Sequence, residues 1–273
     1  MLTVEQIAGY FPLPLRQRNP RGMLVEYLQY ELLDSLFKNP AASNLSFIGG
    51  TAIRILHDSD RFSEDLDFDN FGLPFAQFED LLKTACRDMQ YKGFLVEYRI
   101  VEKEAWRCYF RFPEILHQAG LTPDAGRKIL IRIDSETKEK LYEPAKAFLN
   151  KFTVYRQILA APVGILLTQK MMTVLHRKRE KGRDIYDVSF LMGFTAPDFV
   201  YIERILGLDQ AEFLRRLDER IGELDLYFLA RDVEPFLFSP EQQGRVATFR
   251  DYWLNQQRGR LAIYSVFPKG TKN

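Results

Sequence analysis

Two aspartates separated by one apolar residue, Asp65-Leu66-Asp67, are followed by Phe68, so carboxylates alternate with apolar side chains. On a strand, residues two apart point to the same face. The spacing predicts a strand over Asp65–Phe68 that buries Leu66 and Phe68 and turns both carboxylates outward. Like charges held that close repel unless a cation sits between them, and hard oxygen donors suit Mg²⁺. In two-metal sites the ions lie roughly 3.5–4 Å apart, a gap that same-face carboxylates can bridge while a third carboxylate completes one site. Asp134 is the candidate third ligand. It ends the run Lys128-Ile129-Leu130-Ile131-Arg132-Ile133-Asp134, in which Leu130, Arg132 and Asp134 share the face opposite the three isoleucines. Taken alone, Asp-X-Asp also fits a solvated strand end.

A second feature lies upstream. Gly49-Gly50-Thr51 follows the apolar run Leu45–Ile48 and precedes a short helical segment, Ala52–His57. A Gly-Gly turn at a helix start allows close backbone approach, leaves N–H groups free and offers a positive helix end, which is how a triphosphate is held. The same letters fit an ordinary helix start capped by Thr51. Between turn and carboxylates, Arg61 could hold a phosphate oxygen and Ser63 could hydrogen-bond one, though both also suit a solvated loop.

Farther along, Lys170 sits beside the apolar stripe Leu166, Leu167, Met171, Val174 and Leu175 of a helix. After a break at Glu180-Lys181-Gly182, Arg183-Asp184 starts another helix, with Asp184 and Asp187 one turn apart. Such a hairpin can bring Lys170 and Asp184 together. They could form an interhelical ion pair, or Lys170 could neutralise a triphosphate while Asp184 orients it or helps activate a hydroxyl. The cluster His176-Arg177-Lys178-Arg179, with Lys181 and Arg183, fits either a solvated helix end or a surface for phosphates. Tyr227 and Phe228, at helical spacing, are expected in the core rather than as stacking platforms.

These residues must be positioned by a chain of 273 residues, 46% hydrophobic and 14% aromatic, which is a globular composition. A formal net charge of +1 excludes a global basic field, so any attraction for nucleic acid must be local. Cys86 and Cys108 form neither a disulfide framework nor a zinc motif. Met1–Arg21 lacks a signal-peptide pattern and no apolar run is long enough to span a bilayer, so a cytoplasmic location without membrane attachment is expected. Helices are expected over Gly22–Lys38 and Phe75–Met89. Strands are expected over Leu45–Ile48, Phe94–Val101, Arg107–Phe112, 128–134 and, as one further strand, Lys151–Leu159. Beyond Pro162 the pattern is helical: Val163–Arg177, Asp184–Met192, Tyr201–Leu206, Gln210–Ile221, Leu224–Asp232 and Pro240–Gln256, with a frayed end over 266–273. The expected class is α+β: a mixed sheet with flanking helices (1–161), then an all-helical half (162–273) that contributes to the active-site cleft.

Phe47-Ile48-Gly49-Gly50-Thr51-Ala52 and Arg61-Phe62-Ser63-Glu64-Asp65-Leu66-Asp67-Phe68 together resemble the polymerase-β-like nucleotidyltransferase superfamily, specifically the AbiEii/AbiGii toxin family. That family is similar also in a helical lysine, here Lys170, followed by Arg-x-Lys-x-Arg-Asp, here Arg179–Asp184. The matched pieces run in order from Phe47 to Leu191. Two departures stand out: the usual Gly-Ser is Gly-Thr here, and the family is irregular at the third carboxylate. The resemblance implies a nucleotidyltransferase using NTP and Mg²⁺. It implies an RNA acceptor such as a tRNA 3′ end, and the toxin role of a type IV pair with a cognate antitoxin. Two rivals follow from the carboxylates: a sugar-nucleotide glycosyltransferase, which gives no reason for the Gly-Gly turn, and a non-catalytic relative that binds NTP or a partner.

Overall fold

A computed structural model describes residues 1–101 and 106–266 of the chain, with side chains as far as Gln257. The end expected to fray lies, from 267 on, outside the described residues. The chain divides into two compact units, Met1–Leu166 and the remainder from Leu167.

The first unit opens with two short helices that the pattern did not announce, α1 (Val4–Ala8) and α2 (Leu13–Arg18). Thr3 and Gln6 form a reciprocal capping box at the start of α1, satisfying two otherwise orphaned N–H groups. Helix α3 (Pro20–Phe37) begins with Pro20 in its first turn, and the Asn19 side chain accepts from the Gly22 N–H. Its leucines recur at helical spacing, and every residue from Gly22 to Leu36 is buried with them. The polar residues on its other faces survive burial because each is paired. Glu26 meets Arg54 at 2.8 Å and Lys151 at 2.7 Å, Asp34 meets Lys92 and Arg156 at 2.8 Å each, and Ser35 donates to Asp88 at 2.6 Å. Burial alone would raise the Asp34 carboxyl, but hydrogen bonds from Lys92 and Arg156 outweigh it and hold it below its ordinary range.

The remaining elements of this unit are β1 (Leu45–Ile48), α4 (Gly49–His57), β2 (Leu66–Asn70), α5 (Phe75–Tyr91), β3 (Glu97–Val101), β4 (Trp106–Phe112), α6 (Ile115–Gln118), β5 (Ile129–Thr137), β6 (Ala145–Lys151) and β7 (Val154–Ala160). The seven strands form one mixed sheet in the order β3-β4-β5-β2-β1-β7-β6. Pairing is antiparallel except for β2 with β5 and β1 with β7, which are parallel. One face carries Phe47, Leu66, Phe68, Cys108, Phe110, Phe112, Ile129, Ile131 and Ile133, all essentially inaccessible. Residues alternate across the pleat, so the carboxylates and cations of the same strands lie on the opposite face.

The single strand expected over Lys151–Leu159 is two strands, β6 and β7, joined at Phe152-Thr153. Phe152 takes a left-handed φ of 57° there, a conformation usually left to Gly or Asn. Its ring compensates by packing against Tyr10, Tyr27 and Tyr30 at 4.8, 5.2 and 5.3 Å. No turn residue marked this hairpin in the sequence.

The second unit is helical: most of α7 (Val163–His176), then α8 (Gly182–Leu191), α9 (Phe199–Leu206), α10 (Gln210–Glu223), α11 (Leu226–Val233), α12 (Gly244–Ala247) and α13 (Phe249–Val266). The helix expected over Pro240–Gln256 is broken into a 3₁₀ turn (Pro240–Gln243), α12 and α13. Thr248 ends α12, its hydroxyl donating back to the Gly244 carbonyl at 2.9 Å in competition with the helical ladder. Tyr227 and Phe228, expected in the core, are 74% and 64% exposed. The buried positions of α11 are Leu229, Ala230 and Val233, and the two aromatics fall on the other side of that stripe. Gly182 allows α8 to start against α11: a Cβ there would come within 1.8 Å of the Leu229 carbonyl oxygen. Among the described residues no helix is long and apolar enough to cross a membrane. Cys86 and Cys108 are buried and unbridged.

Candidate active site

Helix α4 starts at Gly49 itself, three residues earlier than expected, and no side chain caps it. Its N-cap residue, Ile48, thus leaves the first N–H groups uncapped at the positive end of a nine-residue helix. Gly49 has φ 79°, and a Cβ on it would lie 2.3 Å from Asp67 Oδ2. Glycine at this position lets the Asp67 carboxylate lie against the helix start. At Gly50 an added Cβ would meet Arg61 Nη2 at 2.5 Å and Ser63 Oγ at 2.9 Å, so the 61–63 loop closes on the turn.

Three of the expected phosphate contacts have structural partners. Thr51 is fully buried and its hydroxyl donates to the Asp65 carbonyl at 2.5 Å, fastening the carboxylate segment to α4. Arg61 is 1% exposed, with Nη1 donating to the Phe62 carbonyl at 3.1 Å, so its guanidinium supports the turn from inside. The Ser63 carbonyl accepts from Gln29 Nε2 at 2.9 Å, which leaves the partly exposed hydroxyl beside Gly50. Gln29 was missed in the sequence because nothing local marks a buried amide on a helix as a loop anchor.

Asp67 lies within β2, opposite Ile48 of β1 and directly beside Asp134 of β5. The strand starts one residue later than expected: β2 runs from Leu66 to Asn70, and Asp65 stands just before it. Asp65 Oδ2 receives Arg132 Nη2 at 2.8 Å, and Asp134 Oδ2 lies 2.9 Å from Arg132 Nε. Arg107, opposite Asp134 on β4, approaches its Oδ1 at 3.5 Å. Arg132 thus links two of the three carboxylates, a role that its place in an alternating run did not suggest. Among the described residues no three His, Cys, Asp or Glu side chains converge on one point. Asp134 Oδ1 is nevertheless buried without a hydrogen-bond partner, and all three groups are hard oxygen donors of the kind that suits a divalent cation.

In the second unit Lys170 Nζ meets Asp184 Oδ1 at 3.1 Å and Asp187 Oδ2 at 2.9 Å. The lysine side chain is 14% exposed and the carboxylates 5% and 0%. Arg177 Nε adds a contact to Asp184 Oδ2 at 3.2 Å. The sequence offered Asp184 as the partner of Lys170 and placed Asp187 one turn on without a role; burial puts both carboxylates on the lysine. The neighbouring basic cluster is largely engaged: Lys181 lies 3.9 Å from Asp232 and Arg183 stands over the Phe236 ring, while Lys178 and Arg179 are exposed.

Fold and site together define a nucleotidyltransferase: the sheet brings an open helix start, suited to phosphates, against a carboxylate suited to the cation that accompanies them. The family can be given more closely. Residues 31–251 match the nucleotidyl transferase AbiEii toxin family of type IV toxin–antitoxin systems, and the chain belongs to that family. In fold it is similar to MenT4, the nucleotidyltransferase toxin Rv2826c from Mycobacterium tuberculosis H37Rv, with a TM-score of 0.59 and 15% identity over 94% of this chain and 93% of that one. It is similar also to JHP933 from Helicobacter pylori, with a TM-score of 0.53 and 18% identity over 90% and 98% of the two chains. No curated protein matches the sequence.

Changing Gly49 tests the turn. Gly49→Ala forces a Cβ into Asp67 at a φ that L residues avoid, so transfer activity is expected to fall by about 10²-fold, the scale of a 1 Å misplacement. Initial rates with α-labelled NTP, read beside an unchanged far-ultraviolet circular dichroism spectrum, check it.

Proposed function

We propose that this chain transfers a nucleoside monophosphate from an NTP to a hydroxyl of RNA, such as a tRNA 3′ end, with Mg²⁺ as its metal. We place it in the cytoplasm as a toxin held in check by a cognate antitoxin. The observation that carries the reading is Asp67, which lies against the uncapped start of α4 on one side and beside Asp134 on the other.

In this reading Asp65 and Asp67 hold the metal, with Asp134 joining them when Arg132 releases it. When bound, the ion polarises the α-phosphate and lowers the pKa of the acceptor hydroxyl. The backbone N–H groups of Gly49 and Gly50 and the Ser63 hydroxyl receive the triphosphate, and Thr51 and Arg61 keep that turn in shape from behind. Lys170, Asp184 and Asp187 are assigned a role in the same transfer. Because Arg132 competes with a metal for Asp65 and Asp134, Arg132→Met is expected to bind Mg²⁺ roughly tenfold more tightly by calorimetry, about 1.4 kcal/mol. Equal or weaker binding would show that the arginine is no competitor.

The direct test incubates the purified chain with total cellular RNA and each α-³²P-NTP, with Mg²⁺ or with EDTA. Label should enter RNA of tRNA size for at least one nucleotide and only with the metal. Label that enters protein alone, or persists in EDTA, would sink the corresponding part of the proposal.

A further inference from the structure

On the open face of the sheet, the register sets out rows that lead away from the carboxylates. One row runs Asp67, Asp134, Arg107, Val101 across β2, β5, β4 and β3; the next runs Arg132, Tyr109, Arg99; the third runs Leu130, Arg111, Glu97. Lys128 immediately precedes β5 and lines the same shallow concavity as Arg99, Tyr109, Arg111 and Leu130. Arg99 and Lys128 are exposed and Arg111 partly so. None of these three cations makes a side-chain ion pair among the described residues. The acidic side chain in the third row is Glu97, opposite Arg111. Tyr109 lies between Arg99 and Arg132, and Leu130 is 41% exposed.

From this arrangement we infer that the open face of β3, β4 and β5 is an RNA-backbone surface: Arg99, Arg111 and Lys128 contact phosphates and Tyr109 stacks a base. Resting on the reading above, it carries the acceptor strand toward Asp65 and Asp67. Cations spaced across three strands, without an ion pair among the described residues, attract a polyanion, which releases its counterions on binding. An aromatic ring set among them on a sheet is a sequence-tolerant platform for an unstacked base. An acidic protein surface would use the cations but leave Tyr109 and Leu130 without a role. The net charge of +1 hides this patch, because its members are distributed over three separate stretches of the chain.

The test compares the triple variant Arg99→Ala/Arg111→Ala/Lys128→Ala with its parent, both carrying Asp67→Asn to stop turnover. Binding of a fluorescein-labelled short single-stranded RNA is measured by anisotropy over a salt series. The triple variant should bind about tenfold more weakly at near-physiological salt, with a log–log salt slope shallower by about 2, as three lost phosphate contacts on a single strand require. Tyr109→Ala should weaken binding with little change in slope. With Asp67 intact, the triple variant should raise KM for RNA and leave KM for NTP unchanged. Lys178→Ala/Arg179→Ala, which removes exposed cations elsewhere, should bind as the parent does. Equal affinity and slope in triple variant and parent would overturn the assignment, as would a parent that binds no RNA, or an equal loss in the Lys178/Arg179 control. RNA binding lost in the triple variant, with no label reaching RNA from any NTP, would uphold the surface and reject RNA as the acceptor.

Discussion

Asp67→Asn is expected to lower nucleotide transfer by at least about 10³-fold while the protein stays folded, because metal chemistry supplies several kcal/mol to such a step. The substitution keeps the shape that lies against Gly49 and removes the charge shared with Asp134. It also relieves repulsion between neighbouring carboxylates, so thermal stability should hold or rise slightly. Asp65→Asn should act in the same direction but also frees Arg132, whose 2.8 Å contact it weakens. The readout is single-turnover incorporation from α-³²P-NTP beside a melting curve. Full transfer by the double variant Asp65→Asn/Asp67→Asn would remove these carboxylates from the mechanism.

Lys170→Met should cost stability as well as activity. It leaves Asp187, fully buried, and Asp184, nearly so, without the ammonium that meets both. Breaking a buried pair from one side typically costs about 3–5 kcal/mol, because the remaining charge has no solvent to turn to. At the scale of a chain this long, that is a fall in Tm of roughly 10 °C. Arg177 still reaches Asp184, which favours the lower end. The pair Lys170→Met/Asp187→Asn separates the two roles: it should recover much of the lost stability, and if Lys170 takes part in transfer, it should recover none of the activity. Recovery of both would make the cluster an interhelical ion pair and nothing more.

Much of the architecture could be read from periodicity. Strands β1, β4 and β5 and helices α5, α7 and α10 carry apolar residues at two-residue or helical spacing, and their bounds lie within a few residues of those expected. Misreadings arose where local signals were silent. The β6–β7 hairpin turns on Phe152, a residue with no turn preference, held by three tyrosine rings from distant positions. Helix α3 buries Glu26 and Asp34 along with its leucines, and only the arrival of Arg54, Lys92, Lys151 and Arg156 makes burying them tolerable. Tyr227 and Phe228 share helical spacing with the core of α11 but not its direction.

By itself the sequence determined the order of the elements, the candidate carboxylates, the glycines beside them and the membership those motifs suggest. These are local properties, set by backbone freedom, alternation and residue type. Tertiary structure alone decided which groups meet. Asp67 and Asp134 are 67 residues apart in the numbering, and strand register makes them neighbours. Arg132 sits among the carboxylates because its strand lies beside β2, and Arg61 and Thr51 became supports of the turn because the chain buried them. The cations of β3, β4 and β5 form one surface only when pleat and pairing put them on a common face. The physical reason is the same throughout: short-range sterics specify each segment, whereas charge and metal affinity depend on distances that exist only after the segments pair.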